Sequence, residues 1–218
     1  MPDRLEQVEQ ILSLCDSQGV PVIARGAGTG LSGGATPRRD ALLLSMARFS
    51  RIIDVDPVGR TARVEPGVRN LAISEAAAPY GLYYAPDPSS QIACTIGGNV
   101  AENAGGVHCL KYGLTIHNII RLEVVLIDGE KITIGSEALD SPGYDLLALM
   151  TGSEGMHGVV TGVTVRLLPI PVSAKAVLAD FDDVEKAAES VSKLIDAGVI
   201  PAELEMMDNP AIRAAENF

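Results

Sequence analysis

The chain has 218 residues, and its 17 basic and 28 acidic side chains give a formal net charge of −11. Nucleic-acid-binding domains and polybasic membrane-surface proteins are expected to be basic, so this charge argues against both classes. Apolar residues make up 47% of the chain and charged residues 21%, which is the balance of a globular protein. The length suits one large domain, or one domain with part of another.

The cysteines and the hydropathy pattern indicate where the protein works. Cys15, Cys94 and Cys109 are far apart and form no CxxC pair, so we expect a reducing compartment and no disulfide framework. No apolar run approaches the roughly 18 residues that span a bilayer, and the polar N-terminus lacks the apolar core of a signal peptide. The sequence therefore predicts a cytoplasmic protein without a transmembrane segment.

The N-terminal part predicts a helix followed by two strands. Apolar side chains recur at helical spacing from Leu5 to Cys15, and Gly19 is placed to end that helix. Short buried strands are predicted over residues 20–24 and 42–45, with a glycine-rich loop between them. The loop runs from Arg25 to Pro37.

Two β-hairpins are predicted farther along the chain. Residues 51–65 turn at Pro57-Val58-Gly59, and residues 122–134 turn at Asp128-Gly129, a dipeptide that strongly favours a hairpin. The other elements predicted before residue 171 are a helix over 68–79, a rigid turn over 86–90, a short helix that leads into a loop over 97–106, and a strand over 159–168.

The composition changes after Pro171, where glycine becomes rare, so we place a domain boundary near residues 169–173. The segment beyond it has about 45 residues, which is marginal for a core of its own, and it is expected to begin a second domain. Its predicted elements are a strand over 174–181, a helix over 182–197 capped by Asp182, a strand over 202–207 and a helix over 210–217.

The first glycine-rich loop matches a dinucleotide-binding pattern only literally. Residues 28–33 read GTGLSG and fit GxGxxG. In the Rossmann motif the third glycine lies within a helix whose N-terminus faces the pyrophosphate. Here Gly34 and Pro37 follow, and neither residue supports a helix. Binding of NAD through this motif is therefore not expected.

The same loop has another physical use. Five glycines between residues 26 and 34 allow successive main-chain N–H groups to point at one place, and such a nest binds phosphate without any lysine. Thr29 and Ser32 would add hydroxyl donors, and Arg25 would add a cation. A flexible surface loop explains the glycines equally well, so the loop alone does not decide between the two interpretations.

Three stretches together resemble the FAD-linked oxidase family, also called the vanillyl-alcohol oxidase or PCMH-type flavoproteins. Residues 21–34, PVIARGAGTGLSGG, resemble its pyrophosphate loop. Residues 95–106, TIGGNVAENAGG, resemble its second FAD loop, and residues 152–161, GSEGMHGVVT, resemble its third. Within the family the chain is most similar to the group that contains the glycolate oxidase flavin subunit and the D-lactate and D-2-hydroxyglutarate dehydrogenases.

The resemblance implies an α+β fold: a PCMH-type FAD-binding domain of two α+β subdomains, over residues 1–66 and 67–170. The beginning of a substrate or cap domain follows over 171–218. The implied cofactor is non-covalently bound FAD. The residues implied to contact it are Arg25, Gly26, Ala27, Gly28, Thr29, Gly30, Leu31, Ser32, Pro86, Asp87, Ser89, Ser90, Thr95, Gly98, Asn99, Glu102, Asn103, Ala104, Gly105, Glu154, Gly158, Val159 and Val160.

The implied reaction is the oxidation of a small 2-hydroxy acid, of glycolate or D-lactate type, to a 2-oxo acid. Electrons would pass to an acceptor other than NAD or to partner subunits. Any association with the inner membrane would be made by those partner subunits. Catalytic residues are expected beyond this chain, so we expect it to be a fragment without a complete active site. Alternatives are an ether-lipid-type synthase, an aldonolactone oxidase, or a non-catalytic interaction module with this fold.

The histidines and tyrosines add little to this assignment. His108, His117 and His157 have no spacing typical of a metal site, so no metal is expected. His108 follows the second FAD loop, where some flavoproteins attach FAD covalently, but the most similar group binds FAD without a covalent bond. Tyr83, Tyr84 and Tyr112 suit either a flavin-site wall or core packing, and core packing is the more common role.

Overall fold

The computed structural model describes residues 1–136 and 143–217. The helices in this part of the chain are α1 (Leu5–Gln18), α2 (Asn70–Ala77), α3 (Ile96–Glu102), α4 (Cys109–Tyr112), α5 (Leu146–Met150), α6 (Val184–Asp196) and α7 (Asn209–Glu216). The strands are β1 (Val22–Arg25), β2 (Leu42–Ser45), β3 (Ile52–Asp56), β4 (Thr61–Val64), β5 (Leu82–Tyr83), β6 (Ile119–Val125), β7 (Lys131–Gly135), β8 (Val159–Arg166) and β9 (Leu168–Pro169). Helices and strands are mixed along the chain, which confirms the predicted α+β class.

The central element is a five-stranded antiparallel sheet in the order β3-β4-β8-β6-β7. Helices α2 and α3 pack on it and form the larger core, in which Ile73, Ile96, Leu122 and Val165 are fully buried. A second core lies between α1 and the parallel pair β1–β2, around Val8. The β3–β4 hairpin belongs to this larger sheet, although it lies within residues 1–66, the first predicted subdomain. The division into two subdomains stays a prediction.

Local sequence signals placed the first helix and both hairpins correctly. Helix α1 ends at Gly19, whose φ of 65° is left-handed and costs glycine little. The hairpins form as antiparallel pairs β3–β4 and β6–β7. Gly129 has a φ of 92° in the second turn, which explains the Asp-Gly signal there.

The C-terminal segment differs from the prediction. The strands expected over 174–181 and 202–207 are absent from the described chain, because neither segment has a strand beside it to complete a hydrogen-bonded ladder. Helix α6 is capped by Asp183 and not by Asp182: the Asp183 carboxylate accepts the main-chain N–H of Lys186 at 2.7 Å. Asp182 instead lies 3.0 Å from the Lys186 ammonium. No described helix is long and apolar enough to cross a bilayer.

Candidate cofactor-binding cleft

One open cleft brings the three glycine-rich segments together. Its volume is about 1120 Å³ when the solvent-filled mouth is included. The segments meet by direct contacts: the main-chain N–H groups of Gly152 and Glu154 donate to the carbonyls of Val100 and Ala101, each at 2.8 Å. The second and third segments are therefore held together by the main chain itself.

The first loop lies equally close to the second segment. A Cβ atom built on Gly26 would lie only 2.1 Å from Oγ1 of Thr95, the residue that caps α3. Glycine is therefore required at position 26 by the contact between two segments that are about 70 residues apart in the sequence.

Most of the residues expected to contact FAD line this cleft. They are Arg25, Gly26, Ala27, Gly28, Thr29, Gly30, Ser90, Thr95, Gly98, Asn99, Glu102, Ala104, Glu154, Gly158, Val159 and Val160. The structure thus collects parts of all three segments, together with Ser90 from the proline-rich turn, in one place.

Four of the expected contact residues have other partners in the described chain and lie outside the cleft lining. The Asp87 carboxylate lies 2.6 Å from Nδ1 of His108. The Pro86 carbonyl accepts a hydrogen bond from the Asn70 side chain at 3.0 Å. The Asn103 side chain accepts the main-chain N–H of Ile116 at 3.0 Å, so it braces a neighbouring loop. A Cβ on Gly105 would lie 2.8 Å from Cδ2 of Leu114, so protein packing favours that glycine.

The other three lie at the rim. Leu31 is fully exposed at the tip of the first loop. The Ser32 hydroxyl donates to the Glu102 carboxylate at 2.5 Å, so it links the first loop to α3. Ser89 is exposed, and its neighbours Pro88 and Ser90 line the cleft.

The first loop leaves its main-chain donors free. Residues 26–41 contain no helix, as expected from Gly34 and Pro37, so the structure confirms that the GxGxxG match is not a Rossmann motif. Gly28 and Gly33 have φ values of 73° and 82°, which turn the chain back on itself. Within the described chain, no main-chain N–H from Ala27 to Ser32 has a hydrogen-bond partner. The loop is thus a row of unused donors along one side of the cleft.

The charges around the cleft are unevenly placed. Among the described residues that line the cleft, Arg25 is the only basic one, and its guanidinium lies against Gly28, where a Cβ would be 2.5 Å from Nη2. Glu102 and Glu154 lie beside the loop from Gly30 onward: a Cβ on Gly30 would lie 3.6 Å from a carboxylate oxygen of Glu102, and one on Gly34 would lie 3.7 Å from a carboxylate oxygen of each. The end with Arg25 therefore suits an anion, whereas the end with the glutamates suits hydroxyl groups that donate hydrogen bonds.

The glycines of the second segment serve two purposes. A Cβ on Gly97 would lie 2.7 Å from Cβ of Pro66, and one on Gly106 would lie 2.4 Å from the Asp87 carbonyl oxygen. A Cβ on Gly98 would meet only Oγ1 of Thr95, at 3.4 Å. Gly97 and Gly106 are therefore required by protein packing, and Gly98 is the glycine that leaves space free in the cleft.

Sequence reasoning missed several apolar lining residues. Met46 follows β2, Pro66 follows β4, and Met150 ends α5. None of them belongs to a glycine-rich motif, and each reaches the cleft because a distant segment folds back on it. No local sequence pattern predicts that such residues line the cleft.

The tyrosines and histidines lie outside the cleft lining. Tyr84 is in the larger core, where burial raises the pKa of its phenol above the ordinary value. Burial also raises the pKa of Tyr83, whose ring packs edge-on against Tyr112. Both phenols are neutral at physiological pH. Among the described residues no cluster of histidine, cysteine and acidic side chains could hold a metal ion.

Comparisons with known proteins show which family the sequence of this chain matches. A family model described as "FAD binding domain" matches residues 1–135, and another described as "FAD linked oxidases, C-terminal domain" matches residues 170–218. The chain is 66% identical over its whole length to the glycolate oxidase subunit GlcD of Escherichia coli, of which it covers 44%. It is 37% identical to a D-lactate dehydrogenase of Archaeoglobus fulgidus, with 99% of this chain and 48% of that protein covered. The chain thus spans about half the length of these curated relatives.

Two solved structures of alkyldihydroxyacetonephosphate synthase share the fold. Their TM-scores are 0.78 and 0.75, and the matches cover 93% and 92% of this chain. The same matches cover 37% and 40% of the two longer chains. Both are 22% identical to this chain, so the likeness concerns the fold alone. The family models that match residues 1–135 and 170–218 show that the chain belongs to the FAD-linked oxidase family and carries its FAD-binding domain.

Proposed function

We propose that this chain supplies the FAD-binding half of a flavin-dependent enzyme that oxidises a small 2-hydroxy acid to a 2-oxo acid. The observation that carries the proposal is the row of free main-chain donors from Ala27 to Ser32, which faces two further glycine-rich segments across one cleft. The names of the relatives, a glycolate oxidase subunit and a D-lactate dehydrogenase, support the substrate class.

The residues of the cleft fit FAD in three parts. The amides of Ala27 to Ser32 would hold the diphosphate together with Arg25, since oriented N–H groups and a cation both favour an anion. Glu102 and Glu154 would accept hydrogen bonds from ribityl or ribose hydroxyls, which is the role open to carboxylates beside a negatively charged ligand. Ser90, Gly98 and Asn99 would lie against the flavin part, as would the main chain of Val159 and Val160.

Bound FAD supplies an acceptor for the two electrons and the hydrogen that leave the carbinol carbon of the substrate. The part of this chain is to bind the cofactor, to orient it and to keep water from the cleft walls. We place the substrate-binding and catalytic groups outside residues 1–170, since the relatives are about twice as long as this chain. Residues 171–218 would begin the domain that covers the cleft, and residues 1–66 and 67–170 would be the two subdomains of the FAD-binding domain.

The proposed setting follows from the relatives. A protein named as a glycolate oxidase subunit acts within an assembly, so we propose that electrons leave through partner subunits or another acceptor and not through NAD. We place the protein in the cytoplasm, with any attachment to the inner membrane made by those partners. Non-covalent binding of FAD is favoured because His108 is engaged by Asp87 and does not line the cleft.

Two experiments test this proposal. FAD added to the 218-residue chain should raise its melting temperature, because a ligand that binds only the folded state stabilises it. In the native polypeptide, glycolate or D-lactate added without oxygen should remove the visible absorbance of the flavin. A protein that binds FAD but keeps that absorbance with every 2-hydroxy acid would contradict the substrate class. A folded chain that ignores FAD would favour the interaction-module alternative.

Replacing Arg25 by glutamine should weaken FAD binding by about tenfold or more, because hydrogen bonds to a charged group are worth roughly 1.5–3 kcal/mol. The loss should shrink as salt is raised, since ions screen the attraction between the guanidinium and the diphosphate. The matched control is Arg39→Gln, an exposed arginine outside the cleft lining. Titrations of both variants with FAD, followed by flavin fluorescence, measure the two affinities. Equal affinities of Arg25→Gln and Arg39→Gln for FAD would contradict a role for Arg25 in holding FAD.

A further inference from the structure

A chain of buried polar groups lies behind the wall of the cleft. The side-chain nitrogen of Asn70 donates to the Pro86 carbonyl and to Oδ1 of Asn99, each at 3.0 Å. The side-chain nitrogen of Asn99 donates in turn to Sγ of Cys94 at 3.4 Å. Asn70 is 2% exposed and does not line the cleft, whereas Asn99 and Cys94 are both 4% exposed and do line it.

The Pro86 carbonyl determines the direction of each hydrogen bond in this series, from Asn70 to Asn99 and from Asn99 to Cys94. A main-chain carbonyl can only accept, so the nitrogen of the Asn70 amide, and not its oxygen, faces Pro86. The same nitrogen contacts Asn99, and its two hydrogens serve these two partners. Asn99 must therefore present its oxygen to Asn70, which leaves its own nitrogen on the side of Cys94.

One hydrogen of the Asn99 side-chain amide has no acceptor in residues 1–136 and 143–217. Its amide nitrogen carries two hydrogens, and the contact with Cys94 engages one of them. The other has no partner among the residues that the structure describes. A buried donor without a partner is costly, and Asn99 is part of the cleft wall, so a ligand in the cleft is the natural partner for that hydrogen.

We infer that Asn70 is a positioning residue, which fixes the Asn99 amide so that an N–H donor, and not an oxygen, is offered to an acceptor atom of FAD. Asn70 also accounts for the place of the segment that runs along the cleft, because its main-chain N–H donates to the Cys94 carbonyl at 3.0 Å. Both ends of residues 86–94 are thus attached to one asparagine. This inference rests on the proposed binding of FAD in the cleft.

Asn99→Asp tests the direction of the donor. An aspartate keeps an oxygen for Asn70 but offers a second oxygen where the wild-type chain offers an N–H. We expect the affinity for FAD to fall by about tenfold or more, measured by quenching of flavin fluorescence. The melting curve without FAD shows whether the variant is folded. A folded Asn99→Asp chain that binds FAD as tightly as the wild type would overturn the inference.

A double-mutant cycle tests whether Asn70 acts through Asn99, and it needs no buried charge. Asn70→Ala should weaken FAD binding by about fivefold or more in the wild-type chain, but by clearly less in an Asn99→Ala chain, where only the bond to the Pro86 carbonyl is left to lose. Losses that simply add would show that Asn70 only supports the fold, and would overturn the positioning role. Ser74→Ala is the control: this side chain of α2 bonds to the main chain of Tyr84, away from the cleft, and its loss should leave FAD affinity unchanged.

Different results would contradict the proposed function and the positioning role of Asn70. If the wild-type chain is folded and does not bind FAD, the proposed function is contradicted before any variant is made. If the wild-type chain binds FAD and the variants at Asn70 and Asn99 bind it equally well, only the role of this buried chain is overturned.

Discussion

Replacing Gly98 by alanine is expected to weaken FAD binding by roughly 5- to 150-fold, since overpacking a filled site costs about 1–3 kcal/mol. The new methyl group would meet only Oγ1 of Thr95, at 3.4 Å, and would otherwise enter the cleft that Gly98 lines. The FAD-free chain should melt no lower than the wild type. Within α3, alanine is favoured over glycine by about 1 kcal/mol, which opposes any small cost of contact with Thr95.

Gly97→Ala is the matched control for Gly98→Ala, because it adds the same methyl group one residue earlier in α3. Its Cβ would lie 2.7 Å from Cβ of Pro66 and 3.0 Å from the Pro66 carbonyl oxygen. We expect the free energy of unfolding to fall by about 1–3 kcal/mol in the absence of FAD. Thermal melting and FAD titration of both variants separate the two effects. Wild-type FAD affinity in Gly98→Ala would mean that the cofactor does not approach α3 at this point.

Replacing Gly106 by alanine is expected to lower the free energy of unfolding by about 3 kcal/mol, at the upper end of the usual cost of overpacking. Its Cβ would lie 2.4 Å from the Asp87 carbonyl oxygen and 2.5 Å from the carbonyl carbon, and a main chain cannot rotate away as a side chain can. The proline-rich turn that carries Pro88 and Ser90 would have to move. FAD affinity should therefore fall together with stability, as measured by urea unfolding and FAD titration.

Gly105→Ala is the control for Gly106→Ala. Its Cβ would meet the end of the Leu114 side chain at 2.8 Å, and that side chain can change rotamer. We expect a loss of only about 1 kcal/mol or less, the cost of an off-rotamer side chain. Equal losses in the two variants would contradict the argument that the contact between Gly106 and the main chain of Asp87 is what requires a glycine.

The sequence predicted the parts of this fold that depend on neighbouring residues. Helix α1, both hairpins and the short helix α3 follow from local apolar spacing and turn chemistry. The loop that contains Gly28 was separated from a Rossmann motif by the two residues, Gly34 and Pro37, that exclude a helix. Each of these predictions depends on only a few adjacent residues, and the structure confirms them for that reason.

Partners that lie far away in the sequence are what the sequence does not show. The Asp87 carboxylate is paired with His108, 21 residues later, and its expected contact with FAD stays a prediction. The Asn103 side chain accepts the main-chain N–H of Ile116, and its expected contact with FAD stays a prediction as well. A residue type and its neighbours show that a polar side chain needs a partner, but they do not show which distant segment provides that partner. The missing strands over 174–181 and 202–207 have the same cause, because pairing between strands is not local.

The acidic composition and the proposed anionic ligand are compatible because of where the donors lie. The chain has a net charge of −11, and two glutamates border the cleft. The diphosphate is assigned to main-chain N–H groups and Arg25, which do not depend on the overall charge. Oriented dipoles act over a short range, whereas the net charge is screened by salt beyond about 10 Å. The negative charge of the whole chain therefore does not prevent local binding of an anion.

Hydrogen exchange at main-chain amides, measured by mass spectrometry with and without FAD, tests the convergence of the three glycine-rich segments most directly. If one cleft holds FAD, exchange should slow together in residues 27–32, in residues 97–104 and in residues 153–160 when FAD is bound, while α6 is unchanged. The first of these segments should respond most, because its amides have no hydrogen-bond partner in the part of the chain that the structure describes. Slower exchange in only one of the segments, or unchanged exchange in residues 27–32 when FAD is bound, would contradict a single cleft that holds the diphosphate through the main chain.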